Sequence, residues 1–222
     1  MSEIRGPRGP YSTGIARRQQ IVDEAIQVFG SVGYNGGSLR QIARSIGVSP
    51  AAISRHFASK EDLLDAVLAS WDQEVSAARG DEVDGLAYLY RLRANLEYHT
   101  EHRGMLAMFL SIVTESASEG HPARSFVRNR YGRTRDAIVE NLHIAGERNE
   151  MRSLDDEACV HEARSLLAFV DGIELQFLTD PTFSMVEAFD RHWEACLGRW
   201  NATLSPAYFT ASATKADTTK SL

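Results

Sequence analysis

The chain has 222 residues, 43% hydrophobic and 24% charged, with two cysteines and a net charge of −6. That apolar fraction is enough to bury a core of one large or two small domains, so the chain reads as a soluble globular protein. Apolar stretches such as 105–113 fall short of the roughly 20 residues a spanning helix needs, and Arg5 and Arg8 are followed by Gly and Pro rather than an apolar run, so no membrane partner and a cytoplasmic location are expected.

The charge is unevenly spread. Residues 1–60 hold eight Lys and Arg against three Asp and Glu, a net of +5 that leaves −11 for residues 61–222. A basic head on an acidic body suits contact with phosphate by the head alone. Cys159 and Cys196 have no metal-binding spacing and are expected to act as small buried apolar residues in a reducing compartment.

Gly and Pro crowd residues 1–14, which predicts a flexible arm, and the Ala-, Ser- and Thr-rich 201–222 predicts a disordered tail. Between them the spacing of apolar residues is helical, so the fold class is all-α, with about nine helices. A first helix is expected from Ala16 to Val32, with Ile21, Ala25, Val28, Phe29 and Val32 on one face and Gly33 at its end. Ser38 caps a short second helix, with Gln41 as its reciprocal capping partner, before Gly47 stops it. Ser49 caps a third that opens on Pro50 and ends near Phe57. Ser59 and Asp62 open a fourth, running to about Ala78. Later helices are expected near 83–102, 105–119, 122–147, 155–178 and 184–200, with breaks at Gly80, Gly104, Gly120, Gly146 and Pro181.

Two short helices joined by Gly47-Val48-Ser49 have the geometry of a helix-turn-helix, whose second helix enters the major groove of DNA. Ile53 and Phe57, four residues apart, supply its buried side, leaving Pro50, Ala51, Ser54 and Arg55 as a small or polar outer surface. Arg55 has the reach to pair with a guanine edge or a phosphate.

The segment Ile21 to Leu64 resembles the DNA-binding head of TetR-type repressors. The likeness rests on Phe29, Gly33-Tyr34, the run Ser38 to Ala43, Gly47-Val48-Ser49, and His56-Phe57 followed by Ser59 to Leu63. It implies that Ser38, Arg40, His56 and Lys60 hold phosphates, while Pro50, Ala51, Ser54 and Arg55 face the groove behind the Ser49 cap. Ser54 stands where the family usually has a tyrosine, so that contact is lost or replaced. Residues 15–60 are then the DNA-binding domain and 61–200 a ligand-binding and dimerisation domain.

In the body, Leu166, Val170, Ile173 and Phe177 stripe the penultimate helix, and Phe189, Trp193, Cys196 and Trp200, with Val186, stripe the last. Small residues at Ala163, Ala168 and Gly172 permit close approach of a partner. The resemblance implies that these stripes form a four-helix interface in a homodimer; the alternative is that they face the monomer core. Trp71, Tyr88, Leu92, His99, Met105, Met108, Phe109, Ile112, Phe126 and Tyr131 are candidates to line a pocket for a small apolar or aromatic effector. The resemblance implies a repressor bound as a homodimer to palindromic double-stranded operator DNA and released by that effector; a transcriptional activator or a helical protein-interaction module are the alternatives.

Enzyme signatures are missing: there is no nucleophile elbow, zinc-protease motif, phosphate loop or dinucleotide fingerprint. No catalytic residue, metal or cofactor is therefore expected. The pairs His99 with His102 and Glu157 with His161 have helical spacing but read as surface residues.

Overall fold

The computed structural model describes residues 10–79, 83–180 and 182–202, and every regular element in them is a helix. The order is α1 (Pro10–Gly36), α2 (Leu39–Ser45), α3 (Pro50–Ser54), α4 (Lys60–Arg79), α5 (Leu86–Tyr90), α6 (Leu92–Glu101), α7 (Arg103–Glu115), α8 (Arg124–Glu147), α9 (Asp156–Thr179) and α10 (Met185–Trp200). Only Arg91 parts α5 from α6, so the expected 83–102 helix is present in two pieces and the expected count of nine holds if they are taken together. Gly80 and Pro181, two of the expected breaks, lie outside the described residues.

The chain forms two compact units. Among the described residues, the first comprises 10–77 and 101–128, the second 78–79, 83–100, 129–180 and 182–202. The boundary between these units does not fall at residue 60, because α7 and the start of α8 pack with the N-terminal helices. Within the first unit, α1 packs most extensively against α7. Gly30 makes that crossing possible: a Cβ there would lie 2.9 Å from the Gly104 carbonyl oxygen and 3.3 Å from the Met108 backbone nitrogen, neither of which can swing aside. Gly104 therefore serves inside α7 as a contact point rather than as the expected break. Ile21, Ala25, Phe29, Ile42, Ile53 and Phe57 are fully buried and join α1, α2 and α3. Trp71 of α4 stacks on Phe109 of α7 with ring centroids 3.8 Å apart.

The first helix begins at Pro10, not Ala16, so residues 10–14 belong to it and not to a flexible arm. Its regular geometry breaks at Gly33, as the sequence predicts. At the other end Asn201 adopts a left-handed conformation and closes α10, with the Asn201 and Ala202 amides donating to the Gly198 and Leu197 carbonyls. These two residues, expected in the tail, thus cap a helix; the rest of that tail and residues 1–9 of the arm lie outside the described residues.

In the second unit, α9 and α10 bury Leu166, Ile173, Phe177, Phe189, Trp193, Cys196 and Trp200, all at or below 6% exposure, and Val170 is half-buried. Trp193 packs edge-on against Trp200 and lies parallel to Phe189. The seven buried members of the expected dimer stripes therefore face the monomer core, where a side chain covered by its own chain has no surface left for a second copy, while Val170 and Val186 are half-buried. Cys159 and Cys196 are both free and buried, as expected.

Candidate nucleic-acid interface

The turn between α2 and α3 is built by its punctuation. Gly47 sits at φ +67°, in the left-handed region that a Cβ penalises, and lets the Gly47 and Val48 amides donate back to the Arg44 and Ala43 carbonyls. Two residues later the Ser49 hydroxyl accepts from the Ala52 amide at 3.2 Å, with Pro50 at the first helical position. Ser38 does the same for α2, accepting from the Gln41 amide. Asp62 and Ser59 close the entry to α4: the Ser59 hydroxyl accepts from the Asp62 amide, while the Asp62 carboxylate accepts from the Ala58 amide.

On this frame Ser38, Arg40, Ser49, Pro50, Ala51, Ser54 and Arg55 are exposed, and Ile53 and Phe57 face inward. Arg40, Arg44 and Arg55 are exposed cations whose side chains form no ion pair or hydrogen bond among the described residues. Their charge is thus available to a phosphate or a base edge. Arg44, absent from the contact residues the sequence suggested, joins them on this ground. The Ser54 hydroxyl donates at 3.3 Å to the carbonyl of Pro50 one turn earlier, so this position presents a small surface whose polar atom is already engaged.

Two expected phosphate contacts sit differently. His56 is half-buried. Lys60 is also half-buried, its ammonium 4.2 Å from the Tyr34 ring centroid, and burial lowers its pKa. Arg18 packs in the same manner, 4.7 Å from the ring of Phe57, tying α1 to the end of α3.

The group that fastens α1 to α7 has no local signature in the sequence. Glu115, the last residue of α7, accepts from the Asn35 amide at 2.9 Å and lies 3.6 Å from the Nε2 of His121. The His121 ring meets Tyr34 edge-on with centroids 5.1 Å apart. The Tyr34 hydroxyl donates to Glu61 at 3.3 Å, and burial together with the Glu61 charge pushes its pKa up to about 12. The residues leading into the helix-turn-helix are therefore held by the end of α7.

The ten candidate effector residues divide between the units. Trp71, Met105, Met108, Phe109, Ile112 and Phe126 belong to the first, all buried except half-buried Phe126; Tyr88, Leu92, His99 and Tyr131 belong to the second. His99 is no surface residue: it is 3% exposed, and its Nδ1 lies 2.8 Å from Glu174 of α9, itself 4% exposed. The Tyr131 hydroxyl donates to Asp171 at 2.9 Å. Burial and the Glu174 charge raise Asp171 from the usual carboxylate range to about 6. Among the described residues no group of three or more His, Cys, Asp or Glu is placed to hold a metal, and no helix is long and apolar enough to cross a membrane.

Residues 21–67 match the family model described as bacterial regulatory proteins, tetR family. The chain is 33% identical over 140 residues to the transcriptional repressor AcnR of Corynebacterium diphtheriae, covering 61% of this chain and 68% of that protein. It is 27% identical over 174 residues to the nicotine-responsive repressor HdnoR of Paenarthrobacter nicotinovorans, covering 76% and 87%. The crystal structure of a Saccharomonospora viridis transcriptional regulator in complex with choline superposes with a TM-score of 0.65 at 23% identity, covering 83% of this chain and 96% of that one, and so shares the fold. With its helix-turn-helix, its all-helical body and these relatives, the chain belongs to the TetR family of bacterial transcriptional regulators.

Proposed function

We propose that the chain is a ligand-responsive repressor that binds palindromic operator DNA as a homodimer and releases it when a small molecule occupies its C-terminal half. The observation that carries the DNA-binding part is the surface around α2 and α3, where Arg40, Arg44 and Arg55 are exposed and lack partners while Pro50, Ala51 and Ser54 leave room beside them. Two such heads must stand about 34–36 Å apart, or a multiple, to reach successive major grooves on one side of a duplex.

The expected stripes are largely buried, so the homodimer is assigned to the outer side of the last two helices. On α9, Ala168 and Leu175 are exposed, Leu175 at 58%, and a Cβ at Gly172 would meet nothing within 4 Å. The three lie at i, i+4 and i+7 on one face. Ala195 and Gly198 are exposed on α10. An exposed leucine beside small residues fits a second copy packed closely against it. Leu175→Arg is expected to convert a dimer to monomer in sedimentation without lowering helicity; an unchanged dimer removes this face.

Release follows from the fastening of α1 to α7. A ligand that binds better to a state with α7 displaced pulls on Asn35 and Tyr34, at the entry to the helix-turn-helix, and weakens DNA binding by a coupling of typically about 1–3 kcal/mol. HdnoR, described as nicotine-responsive, and the choline complex support a small-molecule effector for this chain. Selection of duplexes from random DNA, followed by a screen for compounds that free the selected duplex, tests the whole reading: one palindrome should emerge and at least one compound should release it. Selection of no common sequence contradicts the repressor.

A further inference from the structure

The second unit holds a buried polar group that its core does not require. Asn95 and His99 lie one turn apart on α6, 8% and 3% exposed, so both stand on the same inward face. On α9, Asp171 and Glu174 are spaced i, i+3 and face the same cluster, with Tyr131 of α8 bonded to Asp171. The Glu174 carboxylate lies 2.8 Å from His99 Nδ1, and with the ring proton on Nδ1 the other nitrogen, Nε2, is left as a lone-pair acceptor. That Nε2 is buried without a hydrogen-bond partner among the described residues, and so is the amide oxygen of Asn95. Burial of such a group without a partner costs roughly as much as a lost hydrogen bond. Two orphaned acceptors beside two carboxylates are complementary to a donor that carries positive charge; the guanidinium of Arg130 is the cation that acts on Asp171 and Tyr131 from within the chain.

We propose that this cluster, where α6, α8 and α9 meet within the second unit, is a recognition site for a small protonated amine. His99 Nε2 and the Asn95 oxygen take its N–H donors, and Glu174 and Asp171 match its charge. The Tyr98 ring, edge-on to His99 with centroids 5.8 Å apart, adds an aromatic neighbour suited to an organic cation. The proposal names the effector class within the ligand-responsive reading and rests on it.

Calorimetry on the full-length chain tests this directly, using n-butylammonium, benzylammonium and phenethylammonium, each beside the neutral alcohol of the same skeleton. At least one ammonium should bind roughly ten-fold or more tightly than its alcohol. Glu174→Gln, which keeps the side-chain shape and removes the charge, should bring that ratio close to one, and Asn95→Leu should weaken the ammonium while leaving apolar contacts in place. If Glu174→Gln fails to fold by circular dichroism, Asp171→Asn supplies the same charge test. Equal binding of ammonium and alcohol, or no ammonium binding at millimolar concentration, overturns the proposal. Because the heat is read without DNA, loss of amine binding with an intact operator complex sinks the amine site alone, whereas amine binding without any duplex preference sinks the repressor reading.

Discussion

The two halves of this molecule place their polar chemistry in opposite settings. In the helix-turn-helix the functional candidates are exposed cations without partners, Arg40, Arg44 and Arg55, on a frame closed by Gly47 and Ser49. In the second unit they are buried or half-buried, largely anionic and already engaged: buried His99 with Glu174, and half-buried Tyr131 with Asp171. A surface that must meet a polyanion keeps its charge in water until binding. A site that must select a small molecule does better to hold its groups desolvated and fixed beforehand. The contrast also separates stability from function, since substitutions in the head's exposed set should change binding alone, whereas those in the buried set should change both.

The strongest way to break the contrast is in the head's core. Phe57 is 1% exposed, and Phe57→Ala should cost about 3–5 kcal/mol of head stability. Hydrogen exchange should then show lost protection in α2 and α3 while α9 and α10 stay protected; uniform loss across both units would mean that they do not fold as separable cores. Next in size, Arg55→Ala should weaken operator binding by about 1–3 kcal/mol with melting temperature unchanged, because the side chain is exposed and forms no ion pair or hydrogen bond within the described residues. Ser49→Ala removes the hydroxyl that accepts from the Ala52 amide and should cost about 1 kcal/mol, seen as a lower denaturation midpoint for the head.

The smallest effect belongs to the buried set and depends on pH. Asp171 is held at about 6, above its unfolded value, so its contribution favours the folded state fully below the unfolded pKa and is lost as pH rises through 6. Asp171→Asn, which keeps an acceptor for Tyr131, should gain stability over the parent chain between pH 4 and pH 7, with little difference at the acid end. A melting-temperature difference that is flat across this range would show that the carboxylate is better solvated than its surroundings imply.

What the sequence made legible was local. Caps at Ser38, Ser49 and Ser59, the stops at Gly33 and Gly47, and the pairing of Ile53 with Phe57 all act within a few residues, and they delivered the helix-turn-helix and its exposed face. The misses are long-range. Glu115 reaches Asn35 across 80 residues and His99 reaches Glu174 across 75, and no periodicity announces such pairs. The stripes of α9 and α10 show why periodicity alone could not choose between a partner and a core: an apolar face tells that something covers it, not whether the cover is the same chain. Pro10 to Gly14 joined α1 although their glycine and proline content favoured a loop, since proline is well tolerated in a first helical turn.

The reading of the head as a DNA-binding surface is tested most directly by its binding to the selected palindrome and to a scrambled duplex across a salt series. The exposed arginines predict that log K falls linearly with log salt, by about 0.9 for each phosphate contacted, with the palindrome preferred throughout. Binding that is indifferent to salt, or equal for both duplexes, would contradict it.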